Sequence, residues 1–478
     1  MAFTTINFFI FLIVLLVAYY LTPVRLRWLT LLVAGYFFYI NTKPVFALLL
    51  AGVTASTYLF TNLMSKTTSE KRRNRYKVTN IILILLPLFF FKYFGAINDG
   101  IISIAAQWNL RWPLPVMKLM MPVGISFYTF MAIGYTIDVF NEEVEVEKNP
   151  GLVALFISFF PLILSGPIER AKNMLPQFHE LKNPDYAKVT YGLRLMLWGF
   201  FLKLVVADRL GIYVDAVYHN VQLHNGTTLL YTAVLYPFQV YADLGGYSLI
   251  AIGVAALLGI NVMQNFNRPF FATSMAEFWR RWHMSLITWL TDYVYTPLSF
   301  AFRKLKVKGI VLSLMITFLI SGIWHGASLT YLAWGILQGI YLSVEAISTK
   351  QKANMERKFR LAGKGWYLLL SCVFTFILFA ISQVFARATD FSDAMMVFSK
   401  IVSSGGSLFI GVPSIFIFGL LGIAIMMLSD FRDEFMPGRF LLFENKYKPV
   451  RILAYSITII LILMIGVFDG GEFIYFQF

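Results

Sequence analysis

The sequence predicts an all-α membrane protein that crosses the bilayer many times. Of its 478 residues, 58% are hydrophobic and 14% are charged, whereas soluble domains carry about 25% charged residues. The mean hydropathy is +0.70, and long apolar runs recur along the whole chain. Because no polar stretch is long enough to fold separately, we expect one continuous membrane domain.

Apolar runs account for the predicted helices in order. Some are shorter than the roughly 20 residues that a spanning helix needs, and others contain Gly, Pro and polar residues. We therefore expect about eleven spanning helices, with re-entrant or interfacial helices, around a central tunnel. The first run lacks a basic start and a cleavage site, which predicts a retained span. The runs lie at 6–22, 28–40, 45–64, 79–95, 114–137, 151–165, 191–206, 227–260, 309–324, 328–347, 366–386, 408–428 and 451–468.

The net charge of +15 comes mainly from Lys and Arg in short segments between the apolar runs. Cytoplasmic loops of membrane proteins carry this excess. The segments TPVRLRW and SKTTSEKRRNRYK are therefore expected in the cytoplasm, with the N-terminus outside. The basic loops at 302–309 and 349–366 are expected there too, so the two runs between them should cross and return. Basic loops of this kind are attracted to the anionic lipids of the cytoplasmic membrane surface. No aromatic-basic motif indicates a nucleic-acid partner.

One histidine lies between two apolar runs, in the segment SGIWHGASLT at 321–330. An ionisable side chain in such a place is a candidate functional group, and a hydrogen-bonded structural histidine is the alternative for His325. Burial would keep its imidazole neutral, as a general base requires. Small neighbours, including Gly322 and Gly326, would let a ligand approach the backbone. Three of the other four histidines lie in polar stretches and are expected in loops: His179, His219 and His224.

The remaining histidine, His283, lies in the segment EFWRRWHMSLITWLTDYVYTPL at 277–298. Its Trp, Arg and Tyr content predicts an amphipathic helix at a membrane boundary. In such a helix Glu277 and Arg281 would pair, and Arg280 and His283 would share a face. An interfacial helix with an incidental histidine is the alternative reading. No HxxxH, HExxH or CxxC pattern predicts a metal site, and the lack of a P-loop disfavours ATP-driven transport.

A few other polar or reactive side chains lie within apolar runs. Asp243 lies near Gln239 in the segment YPFQVYADLGGYSLIAIG, and a carboxylate in such a run normally lines a cavity or meets a partner. Cys372, the single cysteine, is expected to be a small buried residue.

Several of these segments, in this order, resemble the membrane-bound O-acyltransferase family, and most closely its bacterial polysaccharide O-acetyltransferase branch. The resemblance covers nearly the whole chain and includes the EFWRRWH and SGIWHGAS segments. Thr291 and the pair Ser299–Phe300 depart from the alginate type, which carries an Arg and a Gly pair there, so the glycan stays open. The other similar segments are MPVGISFYTFMAIGYTIDVF at 121–140, FFPLILSGPIERAKNMLPQF at 159–178, YADLGGYSLIAIG at 241–253, NFNRPFFATSMAEFWRRWH at 265–283 and FIYFQF at 473–478.

The resemblance implies a single membrane domain over 1–478, with N-terminal helices in about 1–110, a catalytic core in 111–350 and C-terminal helices in 351–478. It implies acyl transfer from a thioester to a hydroxyl, with His325 and His283 as catalytic residues. We expect His325 to be the general base and His283 to position a substrate or assist the proton transfer. The residues expected to bind substrate are Trp324, Ser321, Arg280, Trp282, Asp292, Tyr293, Asp243 and Gln239.

The expected reaction moves an acetyl group from cytoplasmic acetyl-CoA, a co-substrate, to an extracytoplasmic glycan, in a protein of the cell membrane. No bound cofactor and no metal are expected. Arg280, Arg281 and the loop at 303–308 could hold the phosphates of CoA, and a partner with an SGNH-type domain is expected outside the membrane. Three alternatives remain: a teichoic-acid D-alanyl transferase that uses a carrier-protein thioester, an acyltransferase for a lipid or a protein, and a non-catalytic transporter.

Overall fold

The computed structural model describes residues 2–41, 43–110, 113–116, 119–164 and 166–468. Across these ranges the secondary structure is helical, with no β-strand, so the all-α prediction is confirmed. The segment FIYFQF at 473–478 lies outside the described residues.

The chain divides into two compact units, and α9 and α11 each contribute to both. The first unit comprises the chain up to Leu193 together with Ala251–Met263. The predicted three-part division at 110 and 350 remains a prediction. The helices that begin in the first unit are α1 (Ile6–Leu21), α2 (Arg27–Ile40), α3 (Pro44–Ser65), α4 (Glu70–Gln107), α5 (Ile125–Phe140), α6 (Pro150–Ser158), α7 (Phe160–Ile163), α8 (Ala171–His179) and α9 (Tyr186–Phe200), with a 3₁₀ turn at Val24–Leu26.

The second unit comprises Arg194–Ile250 and the chain from Gln264 onward. Two π-helical segments, Phe201–Ala207 and Thr291–Tyr295, interrupt its α-helices. Its 3₁₀ turns are Val221–Leu223, Pro269–Phe271 and Arg303–Leu305. The helices that begin in it are α10 (Asp208–Tyr218), α11 (Gly226–Leu257), α12 (Met275–Arg281), α13 (Met284–Leu290), α14 (Thr296–Ala301), α15 (Val307–His325), α16 (Leu329–Lys358), α17 (Gly365–Arg387), α18 (Phe391–Ser403), α19 (Pro413–Phe435) and α20 (Lys448–Ile465).

Seven helices among the described residues are long and apolar enough to cross a membrane: α3, α4, α11, α15, α17, α19 and α20. Two shorter helices, α1 and α5, are also apolar. The prediction of about eleven spans therefore remains a prediction. Only 17% of the apolar window is buried in α4, α19 and α20, whereas 94% is buried in α11. The first three thus offer apolar surface to lipid, while α11 is enclosed by protein and carries polar side chains there.

Several helices extend beyond the apolar runs that predicted them. The basic segment at 66–77 was expected to be a loop, but from Glu70 onward it forms the start of α4. The basic segment at 349–366 likewise belongs to α16 as far as Lys358. Both expectations were wrong because Glu, Lys and Arg are good helix formers and continue a helix into water. The amphipathic helix α18 had no counterpart among the apolar runs.

Helices α15 and α16 pack closely as an antiparallel pair, which confirms that this part of the chain turns back on itself. A Cβ atom added at Gly335 would lie 2.5 Å from the carbonyl oxygen of Phe318 and 3.1 Å from the Cα of Gly322. The two glycines therefore allow the helix backbones to touch, as small residues do between membrane helices. This contact fixes the end of α15, where His325 lies.

Candidate active site

The second unit contains a cavity of about 50 Å³ that both His283 and His325 line. Its wall comes from α11, from the junction of α12 and α13, and from α15, α16 and α17. The resemblance placed both histidines at one site, and the structure brings them to one cavity. The aromatic residues of the wall are Tyr236, Trp279, Trp282, Tyr331 and Trp334.

A break in the helix brings His283 to the cavity. Helix α12 ends at Arg281 and α13 begins at Met284, and His283 between them has a φ of 45° in the left-handed region. The segment before the 3₁₀ turn at Pro269–Phe271 supports the break, because the Met284 N–H donates to the Asn265 carbonyl at 2.8 Å and the Asn267 N–H donates to the Arg281 carbonyl at 2.8 Å.

The prediction that one amphipathic helix covers 277–298 is therefore wrong. Arg280 does not share a face with His283, because Arg280 is exposed while His283 is 3% exposed. The predicted i,i+4 pair is confirmed: Arg281 Nη2 lies 2.7 Å from Glu277 Oε1. A sequence pattern alone does not reveal the break, because a left-handed residue that is not glycine is uncommon and needs support from its surroundings.

The polar side of His283 is organised by one asparagine. Asn265 Oδ1 lies 3.2 Å from His283 Nδ1 and accepts hydrogen bonds from the Ser285 hydroxyl at 2.8 Å and the Ser285 N–H at 3.2 Å. Asn265 Nδ2 donates to Ser248 Oγ at 3.0 Å, which sets the orientation of the amide. Because an amide oxygen only accepts, Nδ1 of His283 carries the proton and Nε2 carries the lone pair. Burial lowers the pKa of His283 to about 3, so the ring is neutral at ordinary pH.

His325 is the last residue of α15 and is half-buried. Its ring lies edge-on to Trp324 at 4.6 Å and to Trp334 at 4.8 Å, measured between ring centroids, and Tyr331 stacks at 6.2 Å. The expectation that Gly322 and Gly326 leave room for a ligand is wrong, because a Cβ atom at Gly326 would lie 2.3 Å from the Tyr331 ring and the space at Gly322 is filled by α16. These glycines instead allow α16 to approach and enclose the histidine.

Of the predicted substrate-binding residues, Trp282 lines the cavity together with the two histidines. Ser321 and Trp324 are buried in α15, and Trp324 reaches the site through its ring contact with His325. Asp292 is exposed and Tyr293 half-buried in the π-helical segment, where the Tyr293 ring lies 5.0 Å from that of Trp289. The described cavity lining includes neither of these two. Their roles in binding remain predictions.

Asp243 pairs with a charged side chain. This is one of the two outcomes expected for a carboxylate in an apolar run, the other being that it lines a cavity. Lys203 Nζ lies 2.6 Å from Asp243 Oδ1 and 2.7 Å from Asp208 Oδ1, with all three side chains buried. Lys203 lies in a π-helical segment, a feature that often occurs at functional sites. Gln239 is also buried. Neither Asp243 nor Gln239 is among the residues that line the described cavity.

The basic residues expected to hold the phosphates of CoA differ in whether their charge is already paired within the protein. Arg281 Nη2 lies 3.0 Å from Glu434 Oε1 in addition to its pair with Glu277, so its charge is already neutralised. Arg280 is exposed, and so are the four basic residues of the loop at 303–308, which are Arg303, Lys304, Lys306 and Lys308. Arg280 thus remains a candidate for contact with phosphate, and Arg281 is better explained as structural.

Sequence reasoning did not single out four residues that shape this site. Gln383 lines the cavity, is 5% exposed, and makes no side-chain hydrogen bond within the part of the chain that the structure describes. Trp279 and Trp334 form part of the wall, and Asn265 orients His283. A polar residue within the apolar run 366–386 was a usable signal for Gln383. The aromatic residues carried no such signal because the whole chain is rich in them.

These features define a multi-pass membrane protein with two histidines in a small cavity whose wall is built largely of aromatic and aliphatic side chains. A model of MBOAT, the membrane-bound O-acyltransferase family, matches residues 78–385, and the chain belongs to that family. The match includes both histidines, so the protein is a membrane acyltransferase, as the resemblance implied. The seven apolar helices agree with a multi-pass protein of the cell membrane.

Individual relatives carry more specific names. The chain is 34% identical over 402 residues to the "Probable alginate O-acetylase AlgI" of Pseudomonas aeruginosa, covering 83% of this chain and 74% of that protein. It is 29% identical to the "Peptidoglycan O-acetyltransferase" of Helicobacter pylori over 85% of this chain and 77% of that protein. It is 30% identical to the "Teichoic acid D-alanyltransferase" of Bacillus subtilis over 55% of this chain and 67% of that protein.

Proposed function

We propose that this protein transfers an acetyl group from cytoplasmic acetyl-CoA to a hydroxyl of an extracytoplasmic polysaccharide. The observation that carries the proposal is that His283 and His325 line one small cavity. Two relatives named as O-acetylase or O-acetyltransferase, each covering more than 80% of the chain, support the acetyl group and a cell-surface glycan.

In the proposed reaction, His325 accepts the proton of the acceptor hydroxyl while that oxygen attacks the thioester carbon. The tetrahedral intermediate then collapses, the carbon–sulfur bond breaks, and the imidazolium returns the proton to the leaving thiolate. The atoms and charges balance without a metal or a redox partner. A positioned base of this kind contributes typically 10²–10⁴-fold to the rate.

His283 is proposed to hold the acceptor or to assist the proton transfer. Because Nδ1 faces Asn265, Nε2 is the ring atom that would accept a hydrogen bond from a hydroxyl of the acceptor. Its neutral state suits this role, because a protonated ring would have no lone pair on Nε2 with which to accept a hydrogen bond. His325 would then take the proton of the reacting hydroxyl, while His283 would accept a hydrogen bond from a neighbouring hydroxyl of the same acceptor.

Gln383 is proposed to donate an amide N–H to the acyl carbonyl oxygen. Negative charge develops on that oxygen in the tetrahedral intermediate, and a fixed donor in an enclosed site stabilises it. The aromatic wall also limits the access of water, which reduces hydrolysis of the thioester. Trp282 lines the same cavity and is proposed to contact substrate.

The polyanionic CoA would stay on the cytoplasmic side, and only the thin acyl-pantetheine arm would reach the cavity. Exposed Arg280 is proposed to contact its phosphates. An SGNH-type partner outside the membrane is proposed to complete transfer to the glycan. A carrier-protein thioester is the second candidate donor, favoured by the similarity to the teichoic acid D-alanyltransferase over 55% of the chain.

The test measures CoA release and acetylated product with purified protein in proteoliposomes, with acetyl-CoA on the presumed cytoplasmic face. We expect His325→Ala to reduce the rate at least 10²-fold and His283→Ala to reduce it as well. His219→Ala is the matched control, because His219 is exposed at the end of α10. Equal rates in the wild type and the His325 variant would overturn the mechanism. If folded wild-type protein releases no CoA with partner and acceptor present, the donor is instead a carrier-protein thioester.

A further inference from the structure

One tryptophan of the cavity wall is held by a chain of buried hydrogen bonds. Trp279 Nε1–H donates to Gln338 Oε1 at 3.3 Å, and Gln338 Nε2–H donates to Ser382 Oγ at 2.6 Å. The Ser382 hydroxyl in turn donates to the Phe379 carbonyl at 2.6 Å. Trp279 on α12 is thereby tied to α16 and α17.

Ring packing holds the same indole on its other sides. The Trp279 ring lies 5.2 Å from Phe318, 5.9 Å from Trp334 and 6.4 Å from Phe379, between centroids. Trp279 is 5% exposed and Gln338 is 0% exposed. Turning the indole away would leave a buried N–H and a buried amide without their partners, and would break these ring contacts. The wall at Trp279 is therefore rigid.

The size of the cavity limits what can enter. A cavity needs at least roughly 10–15 Å³ of such volume to hold one water molecule, so about 50 Å³ has room for only a few heavy atoms. An acetyl thioester places a similar number of heavy atoms at the reacting centre, whereas a sugar ring is much larger. The reacting acyl group is thus the part of the substrates that fits inside, and the glycan can present only its hydroxyl.

We propose that Trp279 is an acyl-length gauge: its fixed indole closes the cavity to acyl groups longer than acetyl. The inference rests on the proposed function, and it names the substrate class as short-chain acyl thioesters. Gln338 acts through Trp279 and is a positioning residue. A propionyl or butyryl group would have to displace the indole and break its hydrogen bond to Gln338.

The experiment compares kcat/KM for acetyl-, propionyl- and butyryl-CoA in proteoliposomes, for the wild type, Trp279→Phe and Trp279→Leu. We expect the butyryl-to-acetyl ratio to rise at least about 10-fold in Trp279→Leu, because a methylene in an apolar pocket is worth about 10–200-fold. Trp279→Phe should give an intermediate ratio. Trp366→Leu is the matched control, since Trp366 on α17 is 53% exposed, and its ratio should equal that of the wild type.

A second variant keeps the test informative if Trp279→Leu does not fold. Gln338→Met removes the acceptor of the Trp279 N–H at similar volume, so the indole is released and the ratio should rise a few-fold. An unchanged ratio in folded variants of an active wild type overturns the gauge alone. A wild type that uses no CoA thioester overturns the gauge together with the proposed CoA donor, while one that prefers butyryl-CoA contradicts the gauge but leaves acyl transfer intact.

Discussion

His283 Nδ1 lies 3.2 Å from Asn265 Oδ1, an atom that also accepts two hydrogen bonds from Ser285. Asn265 precedes His283 by 18 residues, and the Met284 N–H bonds back to the Asn265 carbonyl. One residue therefore holds both the ring and the left-handed backbone of the histidine. The position of this histidine depends on a contact that links two segments of the chain.

Replacing Asn265 with alanine should lower kcat by about 10²-fold. The His283 ring would still be present, but a small misplacement of a catalytic group can reduce the rate by that much. The acceptor KM should change less, since Asn265 is buried behind His283 and does not line the described cavity. The measurement is steady-state acetyl transfer in proteoliposomes. Ser285→Ala removes only one of the bonds to Asn265 and should have a smaller effect. Equal losses in both variants would argue that general destabilisation, rather than the orientation of His283, explains the result.

Gln383→Met preserves the length of the side chain but removes the amide donor. We expect kcat to fall about 10²–10³-fold, the range found when one oxyanion donor is removed, while the melting temperature stays near that of the wild type. Gln351→Met, at an exposed position on α16, is the control. Full activity of Gln383→Met would remove this residue from the proposed mechanism.

The buried charges around Lys203 allow a test of Asp243. Lys203→Met leaves Asp208 and Asp243 without their shared cation, and breaking a buried pair in this way costs about 3–5 kcal/mol. Asp243→Asn leaves Lys203 with Asp208, so we expect a smaller drop in melting temperature and an unchanged acceptor KM. A raised KM at unchanged melting temperature would instead support the direct substrate contact predicted from the sequence.

The contact between α15 and α16 should be sensitive to a single methyl group. Gly335→Ala places a Cβ atom 2.5 Å from the Phe318 carbonyl oxygen, so the helices must separate. Overpacking of this kind costs typically about 1–3 kcal/mol, and we expect reduced activity because His325 ends α15. Gly365→Ala is the control, because no atom lies within 4 Å of the added Cβ. Thermal unfolding and acetyl transfer are both measured, and identical behaviour of the two variants would contradict the role of this contact.

The break between α12 and α13 at His283 could not be predicted from the sequence. Hydrophobic periodicity and helix propensity describe 277–298 as one amphipathic helix, and the pair Glu277–Arg281 confirms its first turn. The left-handed residue that follows is stabilised by backbone bonds from residues 265–267. Such support depends on which distant segment lies alongside, and local propensity cannot report it.

The roles of Trp279 and Gln383 in the cavity likewise could not be predicted from local sequence patterns. Both are single residues in segments rich in aromatic or apolar side chains. Their significance comes from neighbours on other helices: Trp279 is bound to Gln338, and Gln383 faces the cavity without a partner among the described residues. No periodic pattern separates them from ordinary packing residues.

The amino-acid sequence by itself determined the class of this protein and its two candidate catalytic residues. Composition and apolar runs are sufficient to predict a helical membrane protein, because the bilayer imposes the same requirement on every span. His325 stood out because a polar group is costly in an apolar segment, and His283 stood out because its segment resembles that of the family. Only the tertiary structure decided that both line one cavity, that Arg280 is exposed and is not part of the cavity lining, and that Asp243 pairs with Lys203. Those outcomes depend on packing between residues far apart in the chain, which short-range patterns do not encode.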